Sequence, residues 1–143
     1  MTVLYLDSNA LAKLYLDEDN TEQEQVIDLL GQYPKVATCI TAYAEVTGIF
    51  ARLFHGGVLD EADYTDKLER FAADWETVIV LEVSQDVSVC AAQVMKAQRG
   101  LRAMDALHLA AALALRQSVS LRFVTFDARL EAAVQKLMPE AGA

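Results

Sequence analysis

The chain has 143 residues, 54% of them hydrophobic and 23% charged, which is enough to bury one continuous core. Its net charge of −9 argues against a nucleic-acid partner, and its separated cysteines, Cys39 and Cys90, argue against a disulfide framework or a zinc site. The longest apolar segment contains Asp105 and His108, which excludes a transmembrane span, and the first residues form no secretion leader. We therefore expect one cytoplasmic domain over residues 1–143 with no membrane partner.

Short apolar runs alternate with longer amphipathic segments, which predicts strands separated by helices. In chain order we predict a strand at 3–6, helices at 10–16 and 21–32, a strand at 36–40, helices at 41–54 and 60–75, a strand at 78–81, helices at 85–98 and 104–117, a strand at 121–125 and a helix at 127–137. Thr41 is expected to cap the third helix. This order indicates an α/β fold with a mostly parallel central sheet of four to five strands, covered by helices on both faces.

Acidic side chains follow the strands of this predicted sheet, at the edge where open parallel sheets bind ligands. Asp7 comes directly after the first strand, and Asp127 lies two residues past the last one. Glu45 lies in the first turns of the helix after the second strand, and Asp105 opens a very apolar helix. We expect these four carboxylates to lie close together.

Each of these residues also has an ordinary structural explanation. Asp7 and Asp127 stand where helix N-caps stand, and Glu45 complements the positive end of its helix dipole. Asp105 is harder to explain, because a buried carboxylate needs a partner. A lysine or arginine partner is possible, but its own segment offers only His108, three residues further on. For His108 we expect a hydrogen-bonded core or supporting position rather than a catalytic role.

Four carboxylates at one edge repel one another, so either some hold protons or a cation neutralises them. Mg²⁺ and Mn²⁺ prefer oxygen ligands and keep water molecules, an arrangement that serves metal-assisted hydrolysis of phosphodiesters. Such a cation would also offset the acidity of the chain at the site itself. The sequence has no phosphate-binding glycine loop and no nucleophilic serine elbow, and its two histidines are too few for a histidine-rich metal site.

Four segments resemble, in order and spacing, the acidic motifs of PIN-domain ribonucleases, and in particular the VapC-type toxins of toxin–antitoxin pairs. They are residues 4–9, 41–46, 104–110 and 124–127. The resemblance implies cleavage of single-stranded RNA by metal-activated water, leaving a 5′-phosphate and a 3′-hydroxyl. It implies that Mg²⁺ or Mn²⁺ is bound by Asp7, Glu45, Asp105 and Asp127, with support from Ser8, Asn9 and Thr125.

The charge distribution leaves room for an RNA substrate. Residues 1–71 carry a net charge of −8, whereas residues 72–143 carry −1 and residues 96–129 carry +4. The candidates for phosphate contacts are Arg99, Arg102, Arg122 and Arg129. We expect the acidic residues that would repel RNA to face away from the substrate; they are Asp17, Glu18, Asp19, Glu22 and Glu24.

The resemblance also implies a homodimer and a cognate antitoxin that lays a helix or tail into a hydrophobic groove. Candidate anchors lie on the two helices flanking residues 56–57, although the same side chains could be core: Tyr43, Ile49, Phe50, Leu53, Phe54, Tyr64, Leu68, Phe71 and Trp75. Two other interpretations stay open. One is a catalytically weak PIN-like module that binds RNA or an antitoxin without cutting, and the other is a metal-dependent phosphoesterase acting on DNA.

Overall fold

The centre of the fold is a four-stranded sheet in which every neighbouring pair is parallel. In this computed structural model, which describes residues 1–16 and 21–143, the strand order is β3-β2-β1-β4. The strands are β1 (Thr2–Leu6), β2 (Val36–Cys39), β3 (Ile79–Leu81) and β4 (Ser120–Val124). The register places Tyr5 of β1 opposite Ala37 and Phe123, so the carboxyl ends of the strands meet at one edge.

Helices connect the strands and cover both faces of the sheet. They are α1 (Ser8–Ala12), α2 (Thr21–Gln32), α3 (Thr41–His55), α4 (Glu61–Trp75), α5 (Gln85–Ala97), α6 (Ala103–Arg116) and α7 (Ala128–Leu137). The predicted α/β class, with its parallel sheet and two covered faces, is confirmed. Within residues 1–16 and 21–143, no helix is both long and apolar enough to cross a membrane.

Two local predictions are wrong. The first helix was expected at residues 10–16, but α1 begins at Ser8, because the Asp7 side chain accepts a hydrogen bond from the backbone N–H of Ala10. It ends at Ala12, because the backbone N–H groups of Leu14 and Tyr15 bond carbonyls only three residues back. Such tight bonds end an α-helix. Thr41 does not cap α3: the cap residue is Ile40, whose backbone is already helical, so Thr41 lies inside the first turn.

The core consists of two clusters, one on each face of the sheet. Because successive side chains of a strand point to opposite faces, Val3 and Tyr5 pack under α5, α6 and α7, whereas Leu4 and Leu6 pack under α1 to α4. All four side chains are buried. Helix α6 packs closely because the residues it turns inward include a run of alanines, and it thereby brings its first turn to the carboxyl edge.

An aromatic cluster around Phe71 holds α4 against α3 and the end of α1. The ring of Phe71 is 1% exposed, and its centroid lies 5.3 Å from that of Tyr15, 5.1 Å from Tyr43 and 6.1 Å from Phe50. Rings at these distances and inclinations attract one another in addition to the area that they bury. This cluster fixes α3, which carries Glu45.

Replacing Phe71 with alanine should lower the free energy of unfolding by about 3–5 kcal/mol, because a large buried ring is lost and a cavity remains. Urea denaturation followed by circular dichroism measures the change. The exposed Thr65→Ala variant on the same helix is the control and should stay within about 0.5 kcal/mol of the starting protein. Equal effects of the two substitutions would contradict the assigned packing.

Candidate active site

Four carboxylates from four separate elements lie at the carboxyl edge of the sheet. Asp7 and Asp127 are the N-cap residues of α1 and α7, Glu45 lies in α3, and Asp105 lies in the first turn of α6. A cavity of about 280 Å³ is lined by Asp7, Glu45 and Asp105 among others. An adjoining cavity of about 860 Å³ is lined by Glu45, Asp105 and Asp127 among others. We call these two cavities together the groove.

Asp7 is a buried carboxylate with both oxygens hydrogen-bonded. Its side chain is 4% exposed; Oδ1 accepts from the Ala10 backbone N–H at 2.9 Å, and Oδ2 accepts from the Thr125 hydroxyl at 2.5 Å. Burial raises the pKa of Asp7 above its ordinary value, although the hydrogen bonds from Thr125 and Ala10 act in the opposite direction. Thr125 therefore holds the carboxylate in place, as a supporting hydroxyl should.

Asp127 is held by the helix that it caps. Its Oδ1 accepts from the backbone N–H groups of Arg129, at 2.9 Å, and Leu130, at 3.0 Å. Its own backbone N–H donates to the Thr125 hydroxyl at 3.1 Å, which ties Asp127 to Asp7 through one side chain. The N-cap explanation therefore applies to both aspartates. In Asp127 the capping bonds use one oxygen and leave the other one for the groove.

Beneath the groove, His108 connects three elements. The ring is 2% exposed; Nδ1 lies 2.8 Å from the Tyr5 hydroxyl on β1, and Nε2 lies 2.9 Å from the Ser8 hydroxyl on α1 and 3.0 Å from Glu45 Oε1 on α3. Ser8 donates to the same Glu45 oxygen at 2.6 Å. A carboxylate only accepts, so the arrangement in which Tyr5 donates to Nδ1 and Nε2 donates to Glu45 satisfies every group.

The charge on Glu45 is stabilised by this network. Burial alone would raise the pKa of Glu45, but hydrogen bonds from His108 and Ser8 outweigh burial, and the pKa lies below its ordinary value. Burial raises the pKa of the Tyr5 phenol well above its ordinary value, so Tyr5 stays a proton donor. Glu45 is therefore an oriented carboxylate anion.

His108, the partner that the sequence segment offers Asp105, is hydrogen-bonded to other residues. Among the residues that the structure describes, His108 hydrogen-bonds Tyr5, Ser8 and Glu45 and makes no hydrogen bond to Asp105. Asp105 is only partly buried, because it opens α6 on the groove side. Burial raises its pKa, and the nearby charge of Asp127 raises it further.

The donor set suits a hard cation, but its side chains are not drawn together as a finished ligand shell. In the described part of the chain, no three Asp, Glu, His or Cys side chains form a group that is ready to hold a metal ion. The carboxylates nevertheless raise one another's pKa: Asp105 is affected by Asp127 and Glu45, and Asp7 by Asp105. A set of oxygen donors with unneutralised charge is the kind that Mg²⁺ and Mn²⁺ bind.

Three arginines surround the carboxylates. The candidates Arg102 and Arg129 line the larger cavity, together with Asn9. Arg52, which the sequence reasoning missed, lines both cavities. Its signal was its position seven residues after Glu45, two turns along the same helical face.

The other basic and acidic candidates lie elsewhere. Arg99 and Arg122 do not line either cavity, and Arg122 donates to the Gly142 carbonyl at 3.0 Å. Glu22 and Glu24 lie on α2 and also do not line either cavity. The remaining acidic candidates, Asp17, Glu18 and Asp19, fall outside the described residues.

Most of the candidate antitoxin anchors contribute to the core. Phe50 and Phe71 are fully buried, and Ile49, Tyr64, Leu68 and Trp75 pack partly buried against the same cluster. Tyr43 is the clearest exception, because 38% of it is exposed while its ring contacts Trp75 edge-on. An edge of this helix pair is therefore accessible, whereas its centre is not.

Residues 4–136 match the family model of the PIN domain, which is most of the chain and contains all four carboxylates. The chain belongs to the PIN-domain family. Ribonuclease VapC47 of Mycobacterium tuberculosis (strain CDC 1551 / Oshkosh) is 30% identical to it over 131 residues, which cover 90% of this chain and 87% of the relative. That relationship makes the chain a VapC-type PIN domain.

Solved structures of low identity agree with this fold. A toxin–antitoxin complex from Klebsiella pneumoniae superposes with a TM-score of 0.67 at 19% identity, over 96% of this chain and 93% of that one. VapC20 of Mycobacterium tuberculosis, a Sarcin-Ricin loop cleaving toxin, superposes with a TM-score of 0.66 at 17% identity, over 91% of this chain and 94% of that one. The VapC-type frame is therefore retained although few residues are shared.

The stability of this VapC-type domain should depend on pH through Asp105. A carboxyl whose pKa is raised in the folded state stabilises fully below its unfolded pKa, and that stability is lost as the pH rises through the raised value. Asp105→Asn keeps the size of the side chain and removes its charge. In EDTA, its melting temperature should exceed that of the unmodified chain by a larger margin at about pH 7 than at about pH 3, because the margin grows as the pH rises through the raised pKa of Asp105.

The exposed Asp28→Asn substitution on α2 is the matched control, since it removes one carboxylate away from the groove. Thermal unfolding followed by circular dichroism measures both margins. A margin for Asp105→Asn that is flat with pH, or that matches the margin for Asp28→Asn, would contradict the electrostatic description of the groove.

Proposed function

We propose that this chain is a metal-dependent endoribonuclease that hydrolyses phosphodiester bonds of single-stranded RNA and acts as the toxin of a toxin–antitoxin pair. The observation that carries the proposal is the convergence of four carboxylates, from four separate elements, in a groove bordered by arginines. Membership of the VapC-type PIN family supports the ribonuclease assignment. The metal, the substrate and the partner rest on the chemistry of the groove and on the relatives.

Asp7, Glu45, Asp105 and Asp127 are the residues that would hold Mg²⁺ or Mn²⁺. When bound, such a cation lowers the pKa of a water molecule and stabilises negative charge on the transferring phosphoryl group. The raised pKa values of Asp7 and Asp105 support a cation site, because both carboxylates carry a cost of ionisation that a cation would remove.

The chain's other residues orient these ligands. Thr125 fixes one oxygen of Asp7, and Ser8 and His108 converge on one oxygen of Glu45, which leaves the second oxygen of Glu45 directed elsewhere. Asn9 is exposed and lines both cavities, so its amide can contact substrate or a metal-bound water. Supporting hydrogen bonds of this kind preserve ligand geometry.

Single-stranded RNA fits the charge pattern around the groove. Arg102 and Arg129 border the larger cavity, where they would contact phosphates on one side of the cleaved bond. A net charge of −9 is compatible with this substrate because the acid that matters lies where a cation would bind. The expected products carry a 5′-phosphate and a 3′-hydroxyl.

An antitoxin partner and a homodimer complete the proposal. One structural neighbour is a toxin–antitoxin complex, which supports an antitoxin for this chain as well. The accessible edge formed by Tyr43 and Trp75 on α3 and α4 is the candidate contact, since an apolar side chain from a partner helix could pack there. The alternative function is a catalytically weak module that binds RNA or an antitoxin without cutting.

Purified protein should cleave a mixed single-stranded RNA pool in Mg²⁺ or Mn²⁺ and not in EDTA. Asp7→Asn and Asp105→Asn should reduce cleavage beyond the roughly 10–100-fold that loss of a supporting hydrogen bond costs, because each removes a metal ligand. Gel analysis with end-labelled RNA measures the rate, and a single-stranded DNA pool tests the DNA phosphoesterase alternative.

The Asp28→Asn variant serves again as the charge control and should cut like the unmodified chain. Circular dichroism must show that every variant is folded. If the unmodified chain cuts no RNA in either metal but still binds RNA or an antitoxin, the nuclease assignment fails and the binding module replaces it.

Tyr5→Phe tests the network beneath the metal site. The substitution removes only the hydroxyl that bonds His108 Nδ1, so His108 should orient Glu45 less well. We expect about a ten-fold loss of activity together with a higher Mg²⁺ concentration at half-maximal rate. Tyr33→Phe, at the opposite end of the sheet, should change neither quantity. Equal metal dependence in the two variants would show that the network is only structural.

A further inference from the structure

We infer that Arg52 binds a phosphate of the RNA on the α3 side of the carboxylates, opposite Arg102 and Arg129. The inference rests on the proposed ribonuclease function and names a substrate contact and a path for the strand. It is independent of the metal, because it concerns phosphates beside the cleaved bond rather than the bond itself.

The position of Arg52 is the first observation. Arg52 stands two turns after Glu45 on the same face of α3, and it is exposed. It lines the smaller cavity with Asp7 and Glu45, and the larger one with Arg102 and Arg129. Glu45, Asp105 and Asp127 line the same cavity as these arginines, so a strand that contacts Arg52 and Arg129 lies beside the carboxylates.

The second observation is that the three arginines of the groove are unpaired. In the described part of the chain, no ion pair and no side-chain hydrogen bond is made by Arg52, Arg102 or Arg129. Outside the groove, three of the four arginines have engaged side chains, and Arg99 is the exception among the described residues: Arg70 pairs with Asp66, Arg116 with Glu140, and Arg122 donates to the Gly142 carbonyl. In a chain with 21 acidic and 12 basic residues, unpaired arginines beside carboxylates retain their donors for an anion.

The third observation is that the Arg52 guanidinium lies over a glycine. A Cβ added to Gly48 would lie 3.5 Å from Arg52 Nη1, an ordinary contact distance, so the guanidinium lies beside the glycine where a side chain longer than alanine would meet it. Glycine is unfavourable inside a helix, and Gly48 lies inside α3. Arg129 lies in the same way over Gly100, whose φ of +89° also favours glycine. In both cases an arginine side chain that lines the groove packs beside a glycine.

These observations give the RNA strand a path across the groove. Arg52 would hold the phosphate on the α3 side, and Arg102 and Arg129 would hold phosphates on the α6 and α7 side. The bond between these phosphates then lies over Asp7, Glu45 and Asp105. Guanidinium groups suit phosphates because they donate two parallel hydrogen bonds.

The test compares Arg52→Gln with Arg116→Gln. Both remove one positive charge, but Arg116 lies eleven residues after Asp105 on α6, about 16 Å along the helix. In cleavage assays, Arg52→Gln should raise KM about ten-fold with kcat within about two-fold, as loss of a charged hydrogen bond predicts. Arg116→Gln should change neither. A fall in kcat at unchanged KM would overturn the assignment, because Arg52 would then act on the reacting phosphate.

Binding separates this inference from the nuclease proposal. A labelled mixed-sequence RNA oligonucleotide is titrated, in Mg²⁺, with chains that all carry Asp105→Asn. Adding Arg52→Gln should weaken binding about ten-fold and lower the slope of log affinity against log salt by about 0.7, the value for one phosphate contact on a single strand. If the unmodified chain cuts no RNA but this loss is seen, the nuclease proposal fails and the Arg52 contact stands.

Two variants of Gly48 keep every charge and test this packing of Arg52 beside the glycine. Gly48→Leu should displace the guanidinium and raise KM as Arg52→Gln does, whereas the single Cβ of Gly48→Ala fits at ordinary contact distance and should leave KM unchanged. Equal binding losses in Arg52→Gln and Arg116→Gln would show that a positive charge anywhere on the chain has the same effect, and no loss in Arg52→Gln would show that Arg52 does not contact the RNA. Either result would overturn the contact.

Discussion

The site depends on the hydrogen bonds of one buried imidazole. His108 reaches β1 through Tyr5, α1 through Ser8 and α3 through Glu45, so three elements must be in register before its ring is satisfied. An unsatisfied polar group at this depth costs about 1–3 kcal/mol, which makes the assembled arrangement the favoured one. The same bonds leave Glu45 ionised and oriented. The hydrogen bonds that complete the folded centre are therefore the same ones that orient Glu45.

The groove combines two opposite electrostatic arrangements within a short distance. Inside it, Asp7 and Asp105 have raised pKa values because burial and neighbouring charge oppose their ionisation. Around it, unpaired arginines make the border positive although the whole chain carries a net charge of −9. A polyanion is thus attracted by the border and a cation by the interior. Neither attraction is visible in the overall charge.

The periodicity of apolar residues was sufficient to predict the layered fold, because buried strands and amphipathic helices differ in their repeat. The strand ends then located Asp7 and Asp127, since parallel strands share one edge, and the starts of two helices located Glu45 and Asp105. The exact ends of two helices could not be predicted from the sequence. The early end of α1 depends on backbone hydrogen bonds of Leu14 and Tyr15, and the start of α3 depends on the helical backbone of Ile40. Such choices follow from tertiary contacts rather than from a residue's own preference.

Side-chain partnerships over long separations were the hardest to predict. His108 bonds Tyr5 across 103 residues, so its supporting position was predictable from the sequence whereas its partners were not. The position of Arg52 was predictable from the sequence, because helical spacing alone places it on the same face of α3 as Glu45. It was overlooked because it lies in the acidic first half of the chain, where net charge obscured a local exception.

The interior of the groove is buried and hydrogen-bonded whereas its arginine border is exposed, and this difference affects how the sequence can diverge in evolution. His108, Asp7 and Thr125 are buried and bonded, so substitutions there disturb the fold as well as the chemistry. Arg52, Arg102 and Arg129 are exposed, and replacing exposed residues usually changes stability by no more than about 0.5 kcal/mol. Selection could therefore vary the border from one descendant to another at little cost to folding. Under the proposed function, new RNA targets would arise while the carboxylates stay unchanged.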